Sequence, residues 1–175
     1  MTNAGLTELN KQREIHQIAF LVYDVEKSMR KFVDLLDIGP WTVLTMDEKT
    51  CTGVIENGKP SNEPFKFYCA VTMIGKIQIE LIQPCYGVKA YEKWLENHGE
   101  GLHHIKEYIP DELIETVVKK YEAKGMPVTR AAHYLEDDHR YIESINMLGF
   151  QYEIGNCAKC SITEDMYYIF PRENN

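Results

Sequence analysis

The feature that most constrains how this chain folds is that it repeats itself. Placing IHQIAFLVYD (15–24) beside LHHIKEYIPD (102–111) sets His16 on His103, Ile18 on Ile105 and Asp24 on Asp111, at an offset of 87 residues. The same offset runs without a gap through the amphipathic stretch that follows and brings Pro40 onto Pro127. KIQIELI (76–82) matches GFQYEIG (149–155) and sets Glu80 on Glu153 at a shorter offset, so the second copy has shorter strands or loops. A register that survives a strand, a helix and a stop signal marks two copies of one supersecondary unit.

Each copy reads as βαβββ. In the first, IHQIAFLV (15–22) is apolar and β-favouring. VEKSMRKFVDLLD (25–37) carries Met29, Phe32, Val33 and Leu36 at helical spacing and stops at Gly39–Pro40. WTVLTMD (41–47) and CTGVIE (51–56) read as strands suited to a hairpin. A turn-rich stretch (57–64) separates them from the strands FKFYCAVTM (65–73) and KIQIELI (76–82). In the second copy, GLHHIKEYI (101–109) is strand. DELIETVVKKYEAKG (111–125) is helix, ended by Gly125 with Pro127 beyond. VTRAAHY, HRYIESINM and FQYEIG supply three more strands. The expectation is a single α+β domain over 1–175. It comprises a first module at 14–82, a connector at 83–100 with a short helix (89–99), a second module at 101–156, and a tail at 157–175 with no clear pattern.

Bulk properties narrow the function. A 44% hydrophobic chain of 175 residues supports one core, and a net charge of −8 repels nucleic-acid phosphate and anionic membranes. No run of eighteen apolar residues is present, and the polar N-terminus has no signal-like apolar segment. The five cysteines, Cys51, Cys69, Cys85, Cys157 and Cys160, fit reduced thiols in a cytoplasmic protein. Cys157–Ala–Lys–Cys160 lacks the second pair that a zinc ribbon needs and reads as incidental. His133 and His139 flank the acidic YLEDD and read as exposed loop residues.

Strand alternation picks out the candidate site. Gln17, Glu80, His104 and Glu153 each stand on the face opposite the apolar one, and the repeat equates Gln17 with His104 and Glu80 with Glu153. Imidazole, amide and carboxylate groups around a pseudo-twofold suit one divalent cation; a wet sheet face is the competing explanation. His16 is the rival to Gln17, but a one-residue slip reverses the facing. His103 by the same logic faces the helices. Lys106 shares the face of His104, where it either binds an anionic group, moves protons with a lowered pKa, or is a solvated lysine at the sheet rim. Tyr68 and Tyr108 are candidates to line the pocket.

HQIAFLVYDVEKSM, IQIELIQP, ENHGEGLHHI and LGFQYEIGN resemble the opening and closing strands of vicinal-oxygen-chelate modules, the superfamily of glyoxalases, bleomycin-resistance proteins and methylmalonyl-CoA epimerases. The resemblance covers about 15–156. It implies a barrel-like sheet of two βαβββ modules with flanking helices, and metal ligands at Gln17, Glu80, His104 and Glu153. The metal would be zinc, nickel, cobalt or manganese, acting as a Lewis acid on a small substrate with a carbonyl or thioester. It further implies an isomerase or lyase working at a carbon next to a carbonyl, methylmalonyl-CoA epimerase-like first and glyoxalase I-like next, with either Glu153, then Glu80, as the base, or both glutamates as ligands alone. Such folds often pair modules across chains, so a homodimer is expected by analogy. Two other readings remain open: a metal-free protein that sequesters small molecules, and, ranked lower because Gln17 leaves it one histidine short, a ring-cleaving dioxygenase. Lys66, Lys76 and Lys106 lie on separate strands and form no basic patch for a CoA phosphate.

Overall fold

The structure is a computed structural model that describes residues 1–172. Helix α1 (Asn3–Asn10) leads into β1 (Ile15–Leu21), α2 (Val25–Leu36), β2 (Trp41–Asp47), β3 (Cys51–Glu56) and β4 (Lys59–Pro60). Strands β5 (Lys66–Ile74) and β6 (Ile77–Tyr86) follow, then α3 (Lys89–His98), β7 (Gly101–Tyr108), α4 (Asp111–Glu122), β8 (Val128–Tyr134) and β9 (Asp137–Ile142). The chain ends with α5 (Ile145–Leu148), β10 (Gln151–Gly155), a 3-10 turn (Glu164–Met166) and β11 (Tyr167–Phe170). Helix α2 begins where the Asp24 carboxylate accepts from the Lys27 amide at 2.9 Å, and ends at Asp37 in the left-handed region.

Eleven strands form one curved, unclosed sheet in the order β11-β2-β5-β6-β1-β7-β10-β9-β8-β3-β4. Its centre is β6-β1-β7-β10, with β1 parallel to β6, β1 antiparallel to β7, and β7 parallel to β10. Across the β1/β7 seam Gln17 pairs with Lys106 and Ala19 with His104. The 87-residue offset interchanges these two pairs, so a local twofold passes between the two strands.

Three elements differ from the sequence expectation. β2 and β3 do not pair as a hairpin: β2 pairs with β5 and β11, whereas β3 pairs with β8 near the other end of the sheet. Only residues 48–50 join them, so the sheet must curl until its two ends approach. The curl brings Phe67 and Cys69 of β5 into one core with Ala132 and Tyr134 of β8 and Cys51 of β3. The tail is not patternless: Tyr167–Phe170 pairs with β2, setting Phe170 against Trp41. Glu173–Asn175, the last residues of the expected tail, lie outside the described residues. Ile145–Leu148, read as the end of a strand, is a single helical turn.

The helices close the open sides. α2 buries Val25 and Met29 against Trp41, Ala70 and Leu81, and α4 buries Ile114 and Val118 against Ile142 and Ile154. Connector helix α3 puts Tyr91, Trp94 and Leu95 into the inner core with Phe65, Phe67 and Ile82. Among the described residues no helix is long and apolar enough to cross a membrane.

Candidate active site

The four central strands each bring one of the four expected side chains to the inner face. Gln17 of β1, Glu80 of β6, His104 of β7 and Glu153 of β10 meet around His104 Nε2. That nitrogen lies 3.1 Å from Gln17 Oε1, 3.4 Å from Glu80 Oε2 and 3.0 Å from Glu153 Oε2. His104 is fully buried and Glu153 nearly so. The Gln17 amide nitrogen donates to Gln78 Oε1 at 2.6 Å, which turns the Gln17 oxygen toward the imidazole. Three acceptor oxygens thus share a nitrogen that offers at most one hydrogen. Among the described residues no three His, Cys, Asp or Glu side chains stand in preformed coordination geometry; these four instead crowd round His104 Nε2, with a hydrogen bond to Gln17 and close carboxylate contacts from Glu80 and Glu153.

Further groups hold this ring. His103 Nδ1 sits 2.9 Å from His104 Nδ1, so one proton is shared between them. Burial, reinforced by His104 and Arg130, lowers the His103 pKa far below its ordinary value and keeps it neutral. A neutral His103 can accept from Nδ1–H of His104 and leave Nε2 with a lone pair for a cation. Cys69 Sγ lies 2.9 Å from Glu80 Oε1, and burial pushes the thiol well up, so it stays a donor to that carboxylate.

Lys106 is neither a rim lysine nor a lysine with a lowered pKa. It is buried, with Nζ 2.9 and 3.0 Å from the Asp137 carboxylate oxygens and 3.2 Å from Glu153 Oε1. Burial disfavours its charge, but Glu153 and Asp137 outweigh burial and raise its pKa. The same contact acts in reverse on the acids. Burial alone would raise both carboxyls, yet Lys106 holds Glu153 below its ordinary value and Asp137 at about 2.

The expected lining residues fare unevenly. Tyr68 alternates away from Phe67 and Cys69 and packs in the α2 core, and Tyr108 stands exposed at the end of β7. Neither lines the inner cavities. His139, expected in an exposed loop, is buried on β9 with Asp138, and Asp137 beside them holds Lys106. Strand alternation over DDHRYI would have found this face, but the acidic run suggested a loop. His16 lines the outer cavity rather than the ring. That cavity, about 350 Å³, is bounded by Leu44, Met46 and Val71 on one side and by Lys106, Tyr134 and Cys157–Cys160 on the other. Among the described residues Tyr134's hydroxyl, buried there, has no hydrogen-bond partner. A smaller cavity of about 50 Å³ reaches the ring itself and is lined by Gln17, Glu80, Tyr91, Lys106, Tyr141 and Glu153 among others.

A family profile described as "Glyoxalase/Bleomycin resistance protein/Dioxygenase superfamily" matches residues 16–142. The chain belongs to this superfamily. Its fold also resembles solved structures of low sequence identity. A variant of Streptomyces coelicolor methylmalonyl-CoA epimerase in complex with 2-nitronate-propionyl-CoA is 18% identical, with 85% of this chain and 98% of that chain covered and a TM-score of 0.60. Methylmalonyl-CoA epimerase from Mycobacterium tuberculosis is 14% identical, with 83% and 88% covered and a TM-score of 0.56. A hypothetical protein from Bacillus halodurans C-125 is 16% identical, with 87% and 99% covered and a TM-score of 0.58. No curated protein matches the chain. At such identities the likeness speaks for the fold, and this superfamily member's chemistry must be argued from its own residues.

Proposed function

We propose that the chain is a metal-dependent isomerase or lyase acting at a carbon next to a carbonyl, epimerase-like or glyoxalase I-like. The observation that carries this reading is the convergence of Gln17 Oε1, Glu80 Oε2 and Glu153 Oε2 on His104 Nε2. One imidazole nitrogen, one amide oxygen and two carboxylate oxygens are all lone-pair donors, and they fit a divalent ion such as zinc, nickel, cobalt or manganese. When bound, the ion supplies Lewis-acid polarisation of two neighbouring substrate oxygens.

The protein side of the chemistry follows from the contacts. Glu153, released from the ring, takes the proton from the carbon next to the carbonyl and returns it; Glu80 is the second candidate. Lys106 keeps Glu153 ionised at neutral pH and so ready to accept a proton. The apolar wall of Leu44, Met46 and Val71 holds the substrate body and excludes water. With its ammonium engaged by two carboxylates, Lys106 offers no free charge to a CoA phosphate, so a small carbonyl compound fits the site better than a reading built on phosphate recognition. A cytoplasmic homodimer completes the proposal by analogy.

A second reading has its own support. A hydrogen on His104 Nε2, donated to Gln17 Oε1, would close the ring without a metal, leaving the 350 Å³ cavity as a pocket for sequestering an apolar molecule. Metal analysis of untagged protein separates the two. Near-stoichiometric divalent metal in the wild type, lost in His104→Ala and Glu153→Ala, is the expected result. Wild-type protein that takes up none of zinc, nickel, cobalt or manganese would move the assignment to the sequestering reading.

A further inference from the structure

Arg130, Tyr91 and Tyr141 form a chain of hydrogen bonds that ends at the inner cavity. Arg130 Nη1 donates to the Tyr91 hydroxyl at 2.5 Å, and the Tyr91 and Tyr141 hydroxyls lie 3.0 Å apart. Arg130 is itself fixed by Glu56 of β3, the strand that crosses to this end of the sheet, with Nε 2.6 Å from Oε1. All three members of the chain are buried.

Donor accounting sets the first step of the chain. A guanidinium has hydrogens and no lone pair to share, so Tyr91 must accept from Arg130. Either hydroxyl can donate across the 3.0 Å contact between the tyrosines, so one of their two hydrogens is used there and the other has no protein partner among the described residues. With a ligand oxygen in the cavity that both tyrosines line, Arg130 to Tyr91, Tyr91 to Tyr141 and Tyr141 to the ligand is an arrangement that uses every hydrogen. Tyr141 stands directly across from Glu153 in the β9–β10 ladder, and its ring centre is 5.1 Å from that of His104. Its side chain lines the 50 Å³ cavity with Gln17, Glu80, Lys106 and Glu153, a space large enough for one or two small-molecule atoms or a water.

We propose that Tyr141 is a further catalytic residue, whose hydroxyl donates a hydrogen bond to the carbonyl oxygen of the bound substrate as negative charge develops there. This deepens the isomerase or lyase reading and rests on it. The proton balance is closed: the C–H bond next to the carbonyl breaks, its proton goes to Glu153, and its electron pair moves toward the carbonyl oxygen. The Tyr141 O–H bond stays intact throughout. Arg130, acting through Tyr91, polarises Tyr141 and so strengthens the donor. A ligand without an oxygen at this place leaves the Tyr141 hydrogen unpaired, so the same contact selects for carbonyl compounds.

The test uses metal-free protein titrated first with cobalt(II), then with acetohydroxamate, a small anion that presents two neighbouring oxygens. Tyr141→Phe removes one oxygen and leaves the ring and its packing. The expected result is cobalt affinity within about twofold of wild type and acetohydroxamate affinity about tenfold weaker or more, the scale of one hydrogen bond to a charged group. Tyr91→Phe, which leaves the Tyr141 hydroxyl in place, should weaken acetohydroxamate less. Equal acetohydroxamate affinity in wild type and Tyr141→Phe overturns the proposal while leaving the metal reading intact. Loss of cobalt binding in Tyr141→Phe also overturns it, because Tyr141 would then be supporting the four ring residues. Wild-type protein that binds no cobalt refutes the metal reading itself, and this inference with it.

Discussion

On β5 the residues turned toward the cavity are Phe67, Cys69 and Val71; at the corresponding places on β9 they are Asp137, His139 and Tyr141. The correspondence follows from pairing. Val71 lies across from Glu80 and Tyr141 across from Glu153, while Cys69 and His139 lie across from Ile82 and Gly155, each two residues beyond its glutamate. The seam strands differ in the same sense, with Ala19 of β1 where β7 has Lys106. One half of the sheet therefore supplies apolar wall and space, and the other supplies charge. The two halves share a backbone plan at the centre of the sheet, and on its inner face the charge of β7 and β9 has no counterpart on β1 and β5. The difference is also steric. Where the first half has small Ala19 and large Ile82, the second has large Lys106 and Gly155. A Cβ on Gly155 would stand 2.0 Å from the Asp138 carbonyl oxygen and 2.8 Å from Lys106 Cε.

The sharpest way to break this comparison is to remove the charge from the second half. Lys106→Met keeps the length of the side chain and takes away its ammonium, leaving buried Glu153 and half-buried Asp137 without the ammonium between them. Stranding buried carboxylates in this way costs about 3–5 kcal/mol. Urea unfolding of metal-free protein reads it. A loss below about 1 kcal/mol would mean that water or a proton already neutralises these acids, and that the two halves are held together by the same apolar packing.

A smaller effect is expected from Gly155→Ala. The added methyl meets a backbone oxygen as well as the flexible lysine, so the β9–β10 pairing has to shift, at about 2–3 kcal/mol. Combining it with Lys106→Ala relieves only the lysine contact and should rescue only part. Full rescue would show that the ladder is more pliant there than its pairing suggests, and that side-chain volume alone decides the choice of glycine.

Much of this was legible in the sequence because the repeat carries its own register. The 87-residue offset equated Gln17 with His104, and face alternation put Gln17, Glu80, His104 and Glu153 on one side; the structure brings those four together. What escaped was whatever depends on contacts distant in sequence. The exchange of β3 onto β8 is invisible locally, since 41–47 and 51–56 look like any hairpin. Tyr167–Phe170 is four residues long and becomes a strand only because β2 offers it an open edge. Asp137 and His139 were misread because a run of acids usually marks solvent, and only Lys106 arriving from a neighbouring strand compensates the half-buried Asp137 beside buried His139. Tyr68 was chosen by residue type rather than by facing, and facing is what a strand enforces, whereas Tyr108 shares the face of His104 and Lys106 but stands exposed at the end of β7.

The mildest expectation concerns acid. The Asp137 carboxyl, though burial would raise it, is held at about 2 against an ordinary 3.8 by Lys106 and then His139. A group whose folded value is depressed adds stability above its unfolded value and loses it as pH falls through the folded one. Asp137 should therefore contribute about 2 kcal/mol at neutral pH, lost between about pH 4 and pH 2. Glu153 is shifted in the same direction. Lys106 has the opposite sign: its raised value gives stability that is complete below the unfolded lysine pKa and lost only at high pH. The first half has no counterpart, because Phe67 does not ionise and burial pushes the Cys69 thiol up, away from the acid range. Unfolding free energy of metal-free protein, followed from pH 6 to pH 2, should thus fall steeply in the wild type, fall as steeply in Cys69→Val, and fall much less in Asp137→Asn. An unchanged slope in Asp137→Asn would mean that the acid sensitivity rests on other groups, Glu153 first among them, and that the Lys106–Asp137 contact is not where the two halves differ energetically.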